Sequence, residues 1–350
     1  MSTLTWLHLS DLHLDGKENA VHRAAFKKMI ADIKRRRETE SLDVDVVFFT
    51  GDLAKEGKRE EYDQAGQWLD EVLDACGLAK QRARLFIVPG NHDVYRWEVE
   101  RAKYRRSLHD DLAKGYLNPN LDYELINDFL CRTPNEDREV VFAKFQNFAR
   151  FIADYFSDAE IRFDHNRYYF VRHIQKSDKI VVVLGLNSSW LSFRGEEQGR
   201  LLLGEIQVCN ALEEARNKWP GACLHMALMH HPLYWLAEHD LHRVQQHLLG
   251  GCDLLLRGHL HCPSLTIQRT PDSHLLEFAS GASLNSDCHY HAYSLAILDL
   301  ATGEGRAIVR LHHQDIGGEW GADNFTYRNS RDGKVDFFVT LRGGPKAEEA

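Results

Sequence analysis

Five short stretches of this sequence carry side chains that bind metal ions. They are Ser10-Asp11-Leu12-His13, Thr50-Gly51-Asp52, Gly90-Asn91-His92-Asp93, His230-His231-Pro232 and Gly258-His259-Leu260-His261. Together they offer carboxylate, imidazole and amide oxygen. That mixture suits Mn²⁺, Fe or Zn²⁺ and does not suit Cu(I) or iron–sulfur chemistry. The reaction such a set supports is hydrolysis between two metals, with one carboxylate holding the cations about 3.5–4 Å apart. Asp52, central in the set, is the candidate bridge. Any one stretch alone reads as an ordinary turn, and the five in order carry the argument.

The elements that must position these residues are legible around them. Trp6 to Leu9, Val44 to Phe49, Leu85 to Val88, Leu224 to Met229 and Leu254 to Leu256 are short, nearly continuous apolar runs. Each reads as a buried strand, and each ends where a ligand stretch begins. In an open α/β sheet, ligands bind outside the carboxyl ends of the strands, so five strand ends deliver the set to one edge. The glycines before Asp52, Asn91 and His259 fit turns where backbone must come close to a ligand. Helices are expected at Val21–Arg37, Arg59–Asp74 and Glu205–Lys218. Further strands are expected at Tyr168–Ile174, Ile180–Leu186, Leu275–Phe278, Tyr293–Leu298, Ala307–Leu311 and Val335–Leu341. Residues 94 to 160 change character: β-branched runs stop, and Asn118-Pro119 and Thr133-Pro134 break the charged sequence into about three helices. This stretch reads as a helical insertion laid on the sheet. Residues 312–342 read as a C-terminal extension with a final strand, loop-like from Glu319 to Asp332, and residues 343–350 as a tail or linker.

Composition bounds the function. The chain has 350 residues, a formal charge of −9, 43% hydrophobic and 27% charged residues, and twenty histidines. These values exclude a disordered, collagen-like or coiled-coil protein. No apolar run reaches bilayer length, so no membrane role is expected. The seven cysteines are scattered without a C-x-x-C pair. With no secretory signal at the start, the expected compartment is the reducing cytoplasm. The acidic balance weighs weakly against long duplex nucleic acid. Arg96, Arg101, Lys103, Arg105 and Arg106, with Trp97 and Tyr104, follow the third ligand stretch directly. They read either as a solvated helix face or as a substrate collar that attracts phosphate and stacks a base. Asn187-Ser188-Ser189-Trp190 follows a strand and either lines the pocket or turns the chain. The loop Gly317-Gly318-Glu319-Trp320-Gly321 is a candidate rim flap.

The ordered set D-x-H, G-D, G-N-H-D, H-x-P and G-H-x-H resembles the calcineurin-like metallophosphoesterases, over residues 6 to about 300 less the insertion. The resemblance implies a four-layer α/β sandwich, two mixed β-sheets flanked by helices, within residues 1–311. It implies that Asp11, His13, Asp52 and His261 hold one divalent metal, and that Asp52, Asn91, His230 and His259 hold the other. Mn²⁺ is the expected pair, with Fe or Zn²⁺ as alternatives. His92 would be the catalytic histidine near the leaving oxygen, with Asp93 orienting it. His230 rather than His231 is the implied ligand, because Pro232 fixes the register. Further candidate substrate contacts are His231, Arg96 and Asn187. The implied reaction is phosphodiester hydrolysis by a metal-bridging hydroxide, with a nucleotide or cyclic nucleotide as substrate. The motif style is closest to class III cyclic-nucleotide phosphodiesterases. The alternatives are a metal-dependent DNA or RNA nuclease, an effector module joined to a sensor, and a non-enzymatic binding module. No oligomeric state is readable from the pattern.

Overall fold

A computed structural model describes residues 2–17, 20–118, 122–156, 161–193, 195, 197–284, 291–313, 318–327 and 330–342. The chain runs β1 (Thr3–Leu9), α1 (Ala20–Thr39), β2 (Val46–Phe49), α2 (Arg59–Ala75) and β3 (Leu85–Ile87). Five helices follow: α3 (Arg96–Glu100), α4 (Lys103–Tyr116), α5 (Glu124–Cys131), α6 (Glu136–Phe142) and α7 (Gln146–Tyr155). Next come β4 (Phe170–Lys176), β5 (Lys179–Gly185), α8 (Glu205–Lys218), β6 (Leu224–Leu228), α9 (Glu238–Gly251) and β7 (Leu254–Arg257). The described chain closes with β8 (Ser264–Arg269), β9 (His274–Ala279), β10 (Ala292–Asp299), β11 (Glu304–His313), β12 (Glu319–Ala322) and β13 (Lys334–Phe338).

Two mixed sheets result. The first has the order β12-β11-β10-β1-β2-β3, with β13 also on β11; the second runs β4-β5-β6-β7-β9-β8. The alternation of side chains along a strand builds the layers. Leu4 and Trp6 of β1, with Val46 and Phe48 of β2, face Val181, Met226, Leu254 and Phe278 in a core between the sheets. Leu7, Leu9, Val47 and Phe49 face the other way, against Phe26 and Met29 of α1 and Leu69 and Val72 of α2. The second sheet turns Val182, Leu184 and Leu255 toward Val208 and Leu212 of α8 and Val244 of α9. The four-layer sandwich expected from the sequence is the fold observed.

Several expectations need amendment. The stretch 94–160 holds five helices rather than about three. Its α7 packs Phe148, Phe151 and Tyr155 into the α1–α2 layer, while α5 and α6 form a separate apolar cluster with Trp190. Strand β8 has no counterpart in the sequence pattern: it sits at a sheet edge, half exposed, so its alternation is weak. The Glu319–Asp332 loop expectation fails at its start, because Glu319–Ala322 is a strand paired with β11 and Trp320 is buried. The aromatic segment is thus core, not a rim flap. β12 and β13 both pair with β11, so the expected extension is built into the first sheet. Pro119, Gly317, the end of the 94–160 stretch and the 343–350 tail lie outside the described residues.

Candidate metal centre

The parallel strands β1, β2 and β3 end side by side, as do β6 and β7 in the facing sheet. The ladders continue past the strands. Asp11 and His13 donate their backbone N–H to Gly51 and Asp52, at 3.0 Å each, and Gly258 donates to His230 at 3.1 Å. The segments bearing the ligand stretches are thus pinned to each other. Of the nine non-glycine residues with positive φ among the described residues, five are Asp11, His13, Asp52, His259 and His261. Asp and His tolerate this left-handed region better than most side chains, and it turns each ring or carboxylate back toward the centre. Space decides the glycines. A Cβ on Gly90 would lie 2.1 Å from Asp52 Oδ1, and one on Gly258 would lie 1.8 Å from Ser10 Oγ. Gly51 has φ +96° and is packed on His230 and Gly90.

The side chains converge. His261 Nε2 lies 3.1 Å from Asp11 Oδ1 and 3.4 Å from His13 Nε2. His13 Nε2 is 3.7 Å from both Asp11 Oδ1 and Asp52 Oδ2. His230 Nε2 is 3.2 Å from Asp52 Oδ2 and 3.0 Å from Asn91 Oδ1. His259 Nδ1 is 3.1 Å from both Asn91 Oδ1 and His230 Nε2. Asp52 thus stands between an Asp11–His13–His261 group and an Asn91–His230–His259 group. Within overlapping triads that include Asp11, His13, His261 and Asp11, Asp52, His230, the donor atoms lie within 4.8 Å of one another.

This donor set fits two divalent cations. Asp11 and Asp52 are buried, at 0% and 1% exposure, and neither has a Lys or Arg partner among the described residues. Buried carboxylates are costly without compensating positive charge. Burial alone would raise the Asp52 carboxyl, but His230, His92 and His13 outweigh it and hold it well below the usual carboxylate range. Burial would likewise lower His230, but Asp52 and Asp11 hold it up at about 9. Two cations would replace those protons, since metal ligation requires neutral imidazole. His230 Nδ1 donates to the Thr50 carbonyl at 2.7 Å, which aims Nε2 inward.

The expected accessory residues divide. His92 sits at the edge of the centre, its ring 4.5 Å from that of His13. Its Nδ1 lies 2.7 Å from the Lys55 carbonyl. A carbonyl can only accept, so Nδ1 carries the proton and Nε2 is the nitrogen presented. Burial, followed by the opposing pull of Asp52, leaves His92 below its ordinary value. Asp93 does not orient this ring. Its carboxylate accepts from the backbone N–H of Asp52 and Gly90, both at 2.9 Å, and of Ala54 at 3.1 Å, and from the Tyr62 hydroxyl at 3.0 Å. It braces the turns that carry Asp52 and Asn91. Burial, then repulsion by Asp52, raises it to about 6. Two substrate-contact expectations fail. His231 has no exposure; its Nδ1 pairs with Ser188 Oγ at 2.9 Å, and its ring lies behind His259. Asn187 is also fully buried and turns the chain, its Oδ1 accepting from Ser189 N–H at 2.8 Å. Arg96 does reach a groove beside His92, lined also by Lys55, Lys58 and Trp97. Arg101 and Arg105 do not join that collar, because both pair with the buried Glu98. The sequence reading missed Lys55, whose role is played by a carbonyl, and Trp235, whose ring packs edge-on to His259 at 4.0 Å.

Comparison with known proteins agrees with the arrangement. Residues 4–263 match the family model described as calcineurin-like phosphoesterase. No curated protein matches the chain. Among solved structures it is similar to GAP50, the anchor in the inner membrane complex of Plasmodium, at 10% identity and TM-score 0.45, covering 98% of this chain and 90% of that one. It is similar to a purple acid phosphatase from yellow lupin (Lupinus luteus) seeds, at 12% identity and TM-score 0.47, covering 89% of this chain and 52% of the other. A 5′-nucleotidase precursor from Thermus thermophilus shares 13% identity at TM-score 0.42, covering 85% and 51%. The chain spans about half the length of these last two. No helix among the described residues is long and apolar enough to cross a membrane.

Proposed function

The chain belongs to the calcineurin-like phosphoesterase family, and from that premise we propose that it is a binuclear metal-dependent phosphodiesterase acting on a nucleotide or cyclic nucleotide. The observation that carries the reading is the complete donor set around Asp52 with the His92 Nε2 at its open edge. Asp11, His13, Asp52 and His261 would hold one cation, and Asp52, Asn91, His230 and His259 the other; Mn²⁺ is the first choice for this oxygen and nitrogen set. Two divalent cations held there would supply Lewis acidity toward phosphoryl oxygens and would acidify water near neutral pH. The chain's own residues do the rest. The Lys55 carbonyl fixes the His92 tautomer, so Nε2 faces the leaving oxygen. In its imidazolium form His92 would give its Nε2 proton to the departing alkoxide. Asp93 keeps the Asp52 and Asn91 turns in register. Arg96 and Lys55 draw the anionic substrate to the edge.

The test is a substrate panel with the Mn²⁺-loaded protein: cyclic nucleotides, single-stranded and duplex DNA, RNA, an aryl phosphodiester and a phosphomonoester. Turnover of cyclic nucleotides and the aryl diester is expected, with little attack on polymers or monoesters. Polymer cleavage without cyclic-nucleotide turnover would replace this reading with a nuclease. Two bound metals and no turnover of any substrate would replace it with a binding module.

A further inference from the structure

Beside His92 the structure holds a groove whose lining residues include Lys55, Lys58, Arg96 and Trp97. One wall is the 55–58 loop, and the other is the 94–100 segment that carries α3. The walls are fastened together. Gly57 (φ +68°) packs on the backbone of Asp93, Val94 and Tyr95, leaving no room for a Cβ. The Gly57 carbonyl accepts from Asn147 Nδ2 at 2.8 Å, and Tyr95 N–H donates to the Lys144 carbonyl at 2.8 Å. α3 itself is locked from below. Glu98, 2% exposed, takes Arg101, Arg105 and the Gln146 amide, and Val99 is buried beside it. This anchoring of α3 leaves Trp97 on the outer side, 58% exposed, as an aromatic face on the groove. Two cations line the same space. Neither the Lys55 ammonium nor the Arg96 guanidinium has a hydrogen bond or ion pair among the described residues, whereas Lys58 is tied to Glu56.

An exposed indole on an anchored helix, beside two cations with no hydrogen bond or ion pair among the described residues and a histidine that presents Nε2, is a surface for one flat ring joined to one phosphate. We propose that this groove is a base-stacking subsite. Trp97 takes the nucleobase, Arg96 and Lys55 take the phosphate charge, and the substrate is a single nucleotide unit. The inference rests on the reading of the metal centre as a nucleotide phosphodiesterase and adds the specificity determinant. A polynucleotide fits less well. A strand needs a cationic track, and here Arg101 and Arg105 are spent on Glu98 while Glu56 and Glu100 line the groove.

The test compares binding of AMP with that of ribose 5-phosphate, by calorimetry, to the Mn²⁺-loaded protein and to the same protein in EDTA. Wild type, Trp97→Leu, Trp97→Phe and Arg96→Gln are measured. Wild type should prefer AMP by at least tenfold. Trp97→Leu should erase that preference, Trp97→Phe should restore most of it, and Arg96→Gln should weaken both ligands alike. An unchanged preference in Trp97→Leu, or equal loss for both ligands, overturns the subsite. So does a decathymidylate that binds more tightly than AMP and loses affinity with Arg101→Gln. Diester hydrolysis is followed in parallel. Turnover without base preference sinks the subsite alone, and AMP preference without any turnover sinks the catalytic reading alone.

Discussion

At the scale of single residues, the proposed ligands and the proposed proton donor make separable predictions. Asp52 lies between the two donor groups, so Asp52→Asn should remove the carboxylate that both cations share. Metal content by elemental analysis should fall well below that of the wild type; two metals retained would refute the bridging role. His92 is different, because its ring is held by a backbone carbonyl and its loss leaves the seven proposed ligands in place. His92→Ala should keep both metals and lose about 10²–10⁴-fold in kcat on alkyl diesters, the range for a missing general acid. On an aryl diester, whose leaving group needs little help, the loss should be much smaller. Equal losses on both substrates would show that His92 does not protonate the leaving oxygen. Histidines outside the centre mostly serve as tethers. His8 bonds Thr50 Oγ1 at 3.0 Å, His225 the Gly251 carbonyl at 2.9 Å and His247 the Glu205 carboxylate at 2.9 Å. Part of the high histidine count therefore records local anchoring.

At the scale of elements, the site is a property of strand ends, and this decides what could be read in advance. The apolar runs of β1, β2, β3, β6 and β7 are dense, and their ligands follow at once, so the segments are visible in one dimension. Directions are not. Asp93 adjoins His92, yet it points to the backbone of Asp52 and Gly90 because turn geometry, not chain proximity, sets its partners. Arg101 and Arg105 look free in sequence, but a buried Glu98 collects them. β12 lacks an apolar run; Trp320 is its one buried side chain, and its pairing with β11 depends on the packing around it. The close approach of Gly258, just past β7, to Ser10 and Asp11, just past β1, gives an element-scale prediction. In Gly258→Ala the new methyl would meet Ser10 Oγ and Asp11 Oδ2, so the 258–261 turn must shift. Such overpacking costs about 1–3 kcal/mol. A lower melting temperature and at least tenfold weaker Mn²⁺ binding are expected. Adding Ser10→Ala removes the nearest clash and should recover part of both; no recovery would mean that the turn fails for another reason.

At the scale of the whole molecule, the first sheet joins the two ends of the described chain, since β1 pairs with β10 and β10 with β11. A buried ion pair clamps that junction. Asp32 of α1, 3% exposed, accepts from Arg310 Nε at 2.7 Å and Nη2 at 3.0 Å, and from the Tyr293 hydroxyl at 2.7 Å. Arg310 also donates to the Trp320 carbonyl at 2.9 Å, so the same guanidinium holds β12. Burial opposes ionisation of Asp32, but the bonds from Arg310, Tyr293 and Arg35 outweigh it and leave its pKa below the ordinary value. A carboxyl lowered by folding contributes stability that is fully present above its unfolded value of 3.8 and is lost as pH falls from there through the folded value. Asp32→Asn strands a buried guanidinium, which costs about 3–5 kcal/mol at neutral pH. Urea unfolding of both proteins should therefore show a constant gap from pH 7 to about pH 5 that narrows below about pH 4. A gap that stays constant to pH 3 would mean that the charge on Asp32 is not what holds the clamp. The clamp's hydrogen bonds join Asp32 and Arg310 to Tyr293, Arg35 and the Trp320 carbonyl, none of them a proposed metal ligand, so Mn²⁺ binding by the folded variant at pH 7 should match that of the wild type. If it does, the clamp stabilises the sheet without setting the geometry of the site.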